Sequence, residues 1–320
     1  FVLSPTVARL WAMELEKRKA NTANVYDGFW STFSEKGRAP KAGDILRLPH
    51  HARTLRAIAE DGGKSFYEGE IAEKIDAFMK ANGGFMRAED LKNHETLEVE
   101  PLSATFHGTE VWELPPNGQG ITVLMALKIL SRFDLKADDP QSIHYTAEAI
   151  KRAMTDGANY IADPNYMEVT TEDLLSDAYA KRCGEAFGEK AQAMTYGNPL
   201  DRSTVYFCIG DKDGNMVSMI QSNYEGFGAG IVVPETGISL NNRLLNFSME
   251  EGRANTLAGN KRPYHTIIPG FLTRGGKPYG AFGVMGGFMQ PQGHVQTLLQ
   301  LLAYGRNPQS ALDAPRFMWT

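Results

Sequence analysis

The pattern of apolar residues changes at Thr204, and this change constrains the fold more than any other feature of the sequence. Before Thr204 the sequence predicts helices, most clearly the strongly apolar run over 121–130 and the apolar residues at helical spacing over 142–162. After it, short β-branched and aromatic runs between turn residues indicate strands. Helices followed by strands and a last helix predict an α+β fold whose sheets pack face to face.

Further elements are predicted from the same periodicities and from glycine, proline and asparagine breakers. The predicted helices cover 6–20, 50–59, 71–79, 88–91, 170–185 and 294–304. The predicted strands cover 96–100, 104–107, 110–113, 205–209, 216–222, 231–233, 238–240, 266–272 and 279–284.

A hairpin is predicted around Asp213-Gly214, because this dipeptide suits a turn that needs positive φ. Its first strand begins after Thr204 and its second ends at Ser222. The two hydroxyl residues are therefore expected near each other, with Ser222 able to hydrogen-bond the Thr204 hydroxyl. A solvent-facing serine is the alternative interpretation.

Composition excludes several classes of partner. The chain has 320 residues, a net charge of −5 and no long basic run, so nucleic acid is a poor candidate. No stretch approaches the roughly 18 uninterrupted apolar residues of a membrane span. The two cysteines, Cys183 and Cys208, match no zinc spacing and are interpreted as free or buried thiols. The seven histidines are scattered, and neither a metal nor a cofactor is expected.

Two familiar enzyme motifs are absent from the sequence. The loop at 226–230 has the glycines of a dinucleotide site, but β-branched residues follow it where a helix would be required. No Gly-x-Ser-x-Gly elbow is present, which argues against an α/β-hydrolase. A Ser/His/Asp triad stays open, because geometry rather than spacing defines it.

The first residues carry neither an initiator methionine nor a basic segment followed by an apolar one. We therefore expect the chain to be a piece or a processed product of something longer. The sequence does not decide whether this bacterial-type protein is periplasmic or cytoplasmic.

Thr204 is a candidate nucleophile because a threonine at a new chain N-terminus carries its own base. A hydroxyl needs an adjacent base, and an α-amine with a pKa of about 8 suits that work near neutral pH. Attack of the Thr204 hydroxyl on the Ser203 carbonyl would create that terminus after ester hydrolysis. Ser203 is the rival nucleophile, but Thr204 directly precedes the apolar strand. The polar residues before it, near 186–203, are typical of a cleavable linker.

Gly286-Gly287 follows an apolar strand and precedes a predicted helix. Backbone N–H groups without side chains suit the stabilisation of an oxyanion. A simple glycine turn is the alternative interpretation.

Matches to one protein family extend over essentially all of the chain. They lie at 55–59, 66–69, 83–86, 89–91, 115–120, 211–215, 227–234, 237–238, 240–242, 261–263, 286–287 and 314–316. On these residues the chain resembles the γ-glutamyltranspeptidase family of N-terminal nucleophile hydrolases.

The resemblance implies a self-cleaving precursor whose two subunits form one αββα four-layer sandwich. Residues 1–203 would belong to the large subunit and 204–320 to the small one, together one composite domain, with a dimer of such pairs also expected. Thr204 falls on the nucleophile, Ser222 on the residue that assists it, and Gly286 with Gly287 on the oxyanion-hole glycines.

The substrate-binding positions depart from the family. The resemblance implies an acidic and an amide-bearing residue for the amine of a γ-glutamyl group, but these positions are Arg243 and Asn246. The family's serine pair reads His265-Thr266, and its asparagine after the assisting hydroxyl reads Tyr224. Arg243 would repel an ammonium group and attract a carboxylate.

Together these residues predict an autoprocessed threonine enzyme for acyl transfer or hydrolysis of γ-glutamyl-type amides. One alternative is an acylase for a dicarboxylic acyl group, similar to cephalosporin acylases. The other is an uncleaved homologue without catalysis that binds or scaffolds.

Overall fold

The structure is a computed structural model that describes residues 1–20, 27–194 and 204–320. The helices in these ranges are α1 (Pro5–Ala20), α2 (Asp27–Phe33), α3 (Pro49–Asp61), α4 (Lys64–Glu68), α5 (Glu70–Ala81), α6 (Ala88–Lys92), α7 (Gly120–Leu130), α8 (Pro140–Tyr160), α9 (Thr171–Leu174), α10 (Asp177–Glu185), α11 (Met289–Leu298) and α12 (Pro308–Asp313). The strands are β1 (Leu102–Phe106), β2 (Thr109–Glu113), β3 (Val205–Gly210), β4 (Met216–Gln221), β5 (Gly270–Arg274) and β6 (Lys277–Phe282).

These residues divide into two compact units. One comprises Phe1–Glu98 with Glu225–Asn242, and the other comprises Val99–Tyr224 with Arg243–Thr320. The boundary expected at Thr204 concerns subunits of a cleaved precursor, and it stays a prediction.

The first unit contains α1 to α6 and has two small cores. In one of them, aromatic side chains meet edge to face, with Trp11 and Phe33 ring centroids 5.8 Å apart. The Trp11 indole nitrogen donates to the Phe33 carbonyl at 2.8 Å, which satisfies its buried polar end. In the other core, Ile71 and Ile75 lie one helical turn apart on α5 and pack on Val233.

The second unit is built on an antiparallel sheet of order β1-β2-β5-β6. Helix α7 packs against this sheet, and nearly all of its side chains are buried because its sequence is apolar on every face. Each fully buried Leu or Ile side chain contributes about 1.5–3 kcal/mol. Helices α8 and α11 cover α7, so the main core is centred on this helix.

Helix α8 begins where the sequence supplies a cap. The Asp139 carboxylate accepts the Ser142 N–H at 2.8 Å, and Pro140 occupies the first turn. The predicted helices over 6–20, 50–59, 71–79, 121–130 and 142–162 are all found with shifts of a few residues at their ends.

Some predicted elements are wrong. No strand forms over 96–100, where the residues are exposed and have no pairing partner among the described residues. The runs 231–233 and 238–240 contribute a single bridge, Val232 to Ser239. The predicted helix over 170–185 is two helices, because the Ser176 hydroxyl caps a new start by accepting the Tyr179 N–H at 3.1 Å.

No helix within the described ranges combines the length and the apolar character needed to cross a membrane. In the same residues, His, Cys, Asp and Glu side chains form no group of three placed to hold a metal ion. Cys183 is buried, Cys208 is exposed, and both are free thiols.

Candidate active site

The β3–β4 hairpin forms as predicted. Its turn is fixed by the Asp211 carboxylate, which accepts the N–H groups of Asp213 and Asn215 at 2.9 Å each. Gly214 supplies the positive φ that the turn needs, at +85°. The register pairs Val205 with Gln221, which leaves the residues just outside this pair side by side.

Those outer residues are Thr204 and Ser222, and their hydroxyl groups are in contact. The Thr204 Oγ1 donates to the Ser222 Oγ at 3.3 Å, so the hydrogen bond expected from the sequence is present. The Ser222 Oγ also accepts the Tyr224 N–H at 2.9 Å. Thr204 is partly exposed, and its hydroxyl is held by this contact. Ser203, the other residue of the predicted scission site, lies outside the described residues.

Close to Ser222 in the sequence, Tyr224 belongs to a buried cluster that also contains Arg243 and Thr266. The Arg243 guanidinium carbon lies 4.5 Å from the centroid of the Tyr224 ring, which is a cation–π contact. Arg243 Nη1 donates to the Thr266 Oγ1 at 2.6 Å. All three side chains are nearly inaccessible to solvent. The structure therefore brings together three residues that the sequence singled out separately.

His265 is neutral in this environment. Burial lowers its pKa to about 3, and the nearby Arg243 charge adds to the effect. Its Nδ1 accepts the Ile267 N–H at 3.3 Å, so the neutral ring carries its proton on Nε2. The permanent positive charge at this position is thus that of Arg243.

Asn246 was predicted to bind substrate together with Arg243, and it also forms a hydrogen bond within the protein. Both lie in one 3₁₀ turn, Arg243–Asn246. The Asn246 Nδ2 donates to the Tyr264 carbonyl at 2.8 Å, which ties this turn to the segment that leads into His265.

Gly286 and Gly287 lie between β6 and α11 with φ values of +109° and +57°. Glycine adopts both values without the strain that a side chain would cause. The Gly286 carbonyl accepts the Met289 N–H at 2.9 Å. This bond turns the Gly286 carbonyl toward α11, so the Gly287 N–H on the same peptide unit points away from the helix.

The hairpin and this glycine loop are neighbours. A Cβ added at Gly283 would lie 2.3 Å from the Tyr206 ring, so β3 packs closely on the end of β6. The Ser218 Oγ donates to the Phe282 carbonyl at 3.4 Å from the adjacent strand. The loop that carries Gly286 therefore begins beside β3, the strand that Thr204 directly precedes.

Gln119 is a residue of this site that sequence reasoning missed. Its side chain is completely buried, and its Nε2 donates to the Thr266 carbonyl at 2.6 Å and to the Gly287 carbonyl at 2.9 Å. Its backbone N–H donates to the His265 carbonyl. The Pro-Pro-Asn-Gly-Gln-Gly loop was visible as a sharp turn, but its long-range partners leave no local signal.

The fold combines helices and antiparallel strands in the α+β class, and the paired hydroxyls lie at the open end of its hairpin. A cephalosporin acylase from Bacillus halodurans superposes with a TM-score of 0.95 and 48% identity, over all of this chain and 59% of that one. The expected αββα sandwich of the N-terminal nucleophile hydrolase type is confirmed by this likeness.

The family model described as gamma-glutamyltranspeptidase matches residues 1–320. The chain belongs to the γ-glutamyltranspeptidase family. It is 37% identical to the glutathione hydrolase-like YwrD proenzyme of Bacillus subtilis, over 90% of this chain and 55% of that protein. It is 33% identical to the oxamate amidohydrolase proenzyme of Klebsiella pneumoniae, over 91% of this chain and 55% of that protein. The chain thus spans little more than half the length of these curated relatives.

Proposed function

We propose that this chain belongs to an autoprocessed threonine enzyme that transfers or hydrolyses γ-glutamyl-type amides through an acyl-enzyme. The observation that carries the proposal is the Thr204 hydroxyl, held against Ser222 at the start of β3 in a member of this family. The related proteins named as proenzymes support the processing step.

Processing needs no other protein. The Thr204 Oγ1 attacks the carbonyl carbon of Ser203, and the C–N bond breaks as an ester bond forms. The proton of the hydroxyl passes to the α-amine of Thr204, which this step frees. Water then hydrolyses the ester, which releases a carboxyl group on Ser203 and restores the Thr204 hydroxyl. The products are a large-subunit part, 1–203, and a small-subunit part that begins at 204.

Catalysis then uses the new amine. In its neutral form it takes the proton of the Thr204 hydroxyl as the oxygen attacks the amide carbon of the substrate. The same proton passes to the leaving amine, and the acyl group stays on Thr204 as an ester. Water or a second amine takes the acyl group and completes hydrolysis or transfer. Ser222 orients the nucleophile through the contact at 3.3 Å.

The tetrahedral intermediate carries a negative oxygen, which backbone N–H groups of Gly286 and Gly287 would stabilise. Loss of one such donor typically costs about 10²–10³ in kcat. Because the Gly286 carbonyl is held by α11, the Gly287 N–H keeps a fixed direction and needs no rearrangement during the reaction.

A second candidate function, removal of a dicarboxylic acyl group, is favoured by Arg243. The buried Arg243 guanidinium produces a positive field that attracts a carboxylate and repels an ammonium, and the neutral His265 beside it adds no charge. A γ-glutamyl group carries both charges, whereas a glutaryl group carries only the carboxylate. The cephalosporin acylase likeness is consistent with this second candidate.

Two chromogenic substrates decide between these functions. Wild-type protein is assayed with a γ-glutamyl anilide and a glutaryl anilide, which differ by the α-amine, and Thr204→Ala is the matched control. Turnover of either anilide that is lost in Thr204→Ala supports the proposal, and the preferred anilide names the acyl class. If the wild type cleaves neither, the chain is a non-catalytic homologue and the proposal fails.

A further inference from the structure

Helix α11 is unusual because it is buried and yet carries a polar side chain at every second position from Gln290 to Gln296. Three glutamines and a histidine alternate along one stretch and are all almost fully buried: Gln290, Gln292, His294 and Gln296. Buried polar groups are normally hydrogen-bonded. Each of these side chains forms a hydrogen bond with the backbone of a neighbouring segment. The backbone partners are Ile268, Val284, Phe317 and Trp319.

His294 contacts the glycine loop. Its Nε2 accepts the Val284 N–H at 3.1 Å, so this nitrogen carries no proton. The ring proton of the neutral imidazole is then on Nδ1, which donates to the Glu113 Oε1 at 2.7 Å. The side chains of Glu113 and His294 are both fully inaccessible to solvent. Glu113 therefore fixes the tautomer that lets His294 hold Val284.

The glycine loop is thus held on both sides by buried side chains. Val284 lies two residues before Gly286, and its N–H donates to the His294 Nε2. The Gly287 carbonyl accepts a hydrogen bond from the Gln119 side-chain amide. Glu113 is the last residue of β2, Gln119 directly precedes α7, and His294 lies in α11. The position of the loop is therefore fixed relative to these three elements.

We infer that Glu113, His294 and Gln119 are positioning residues, which hold the Gly286 and Gly287 N–H groups in the direction that the oxyanion requires. The inference rests on the proposed function. His294 and Gln119 contact the loop, Glu113 contacts His294, and all three side chains are buried, so they act through the loop.

Removal of the His294 acceptor leaves the Val284 N–H to find another partner, and the loop moves with it. A displacement of about 1 Å at a catalytic group can cost about 100-fold in rate. Substrate binding depends on the acyl pocket and not on the oxyanion donors. The loss is therefore expected in kcat rather than in KM.

The test uses the full chain and the anilide that the wild type cleaves best, with kcat referred to cleaved chains counted by intact mass. The variants are His294→Leu, which removes the acceptor, and His294→Gln, whose amide oxygen replaces it. Gln296→Leu is the matched control, because Gln296 lies on the same buried helix but holds the Phe317 backbone instead.

We expect His294→Leu to lower kcat by about 10- to 100-fold with KM within about twofold of the wild type. His294→Gln restores most of the loss. Gln296→Leu lowers the thermal midpoint but leaves kcat within about twofold. A boronic acid analogue of the acyl group, which forms a tetrahedral adduct, loses affinity for His294→Leu in proportion to kcat, while the product acid does not.

An active wild type with equal kcat in His294→Leu and Gln296→Leu overturns the inference alone. So does an equal loss of affinity for the boronic acid and the product acid, which indicates a merely structural role. If His294→Leu does not fold, Glu113→Gln, which keeps the acceptor for Nδ1–H, and Glu113→Leu are compared by the same affinity ratio. A wild type that cleaves neither anilide overturns the proposed function and this inference with it.

Discussion

Tyr224 adopts a φ of +78°, a backbone conformation that bulky residues rarely occupy. Two contacts hold it there: its N–H donates to the Ser222 Oγ, and its ring lies against the Arg243 guanidinium. The residue therefore links the Ser222 hydroxyl to the Arg243 guanidinium. A strained residue with partners on both sides is typical of a functional site.

Arg243→Gln tests the charge of the acyl pocket. Under the second candidate function, removal of the guanidinium takes away a charge-assisted bond to the substrate carboxylate, worth about 1.5–3 kcal/mol. We expect kcat/KM for the glutaryl anilide to fall about 10- to 100-fold, and to fall less for the γ-glutamyl anilide, whose ammonium no longer meets a cation. Steady-state kinetics measure both. Arg253→Gln, at a more exposed arginine, is the control and changes neither. Equal losses on the two anilides would contradict the assigned role.

His265 predicts how stability depends on pH. Its pKa is about 3 in the folded chain and 6.5 when unfolded, so protonation favours the unfolded state. Its contribution is fully present above pH 6.5 and is lost as the pH falls from about 6.5 toward 3. Between pH 7 and pH 5 the loss is about 2 kcal/mol. Urea unfolding in the uncleavable Thr204→Ala background measures it, and His265→Gln, which does not titrate, removes this part of the slope. An unchanged slope would refute the buried neutral histidine.

At the scale of the element, the backbone conformation of the loop between β6 and α11 depends on its glycines. Gly286→Ala forces a side chain onto a φ of +109°, with its Cβ 3.3 Å from the Met289 Cβ. We expect a loss of about 1–3 kcal/mol in the free energy of unfolding, and a fall of kcat by about 10²–10³ as the donors move. Unfolding and anilide kinetics are the measurements. Wild-type kcat in Gly286→Ala would mean that the loop does not hold the oxyanion.

Elements with strong local signals could be predicted from the sequence. The hairpin followed from Asp213-Gly214 and from the strands on either side, and with it the neighbourhood of Thr204 and Ser222. The strand predicted over 96–100 failed because a strand needs a partner, and alternation within one segment does not say whether a partner exists. The break between α9 and α10 depended on Ser176, whose capping role a continuous helical pattern hides.

At the scale of the molecule, the missed residues share one physical cause. Gln119 meets Gly287 across 168 positions of sequence, and Glu113 meets His294 across 181. Such contacts follow from the packing of α7, β2 and α11 in one core, which periodicity and spacing cannot specify. A buried glutamate or glutamine also looks like an ordinary surface residue in the sequence. The chemistry of the residues and the resemblance to the family both indicated Thr204 and the glycines, but not the residues behind them.

The proposed function depends most directly on cleavage of the bond before Thr204. Intact mass spectrometry of purified full-length protein, beside Thr204→Ala, measures its state. We predict two chains for the wild type, with the small one beginning at Thr204, and a single uncleaved chain for Thr204→Ala. A wild type that stays in one piece, or a small chain that begins at any other residue, would contradict the account.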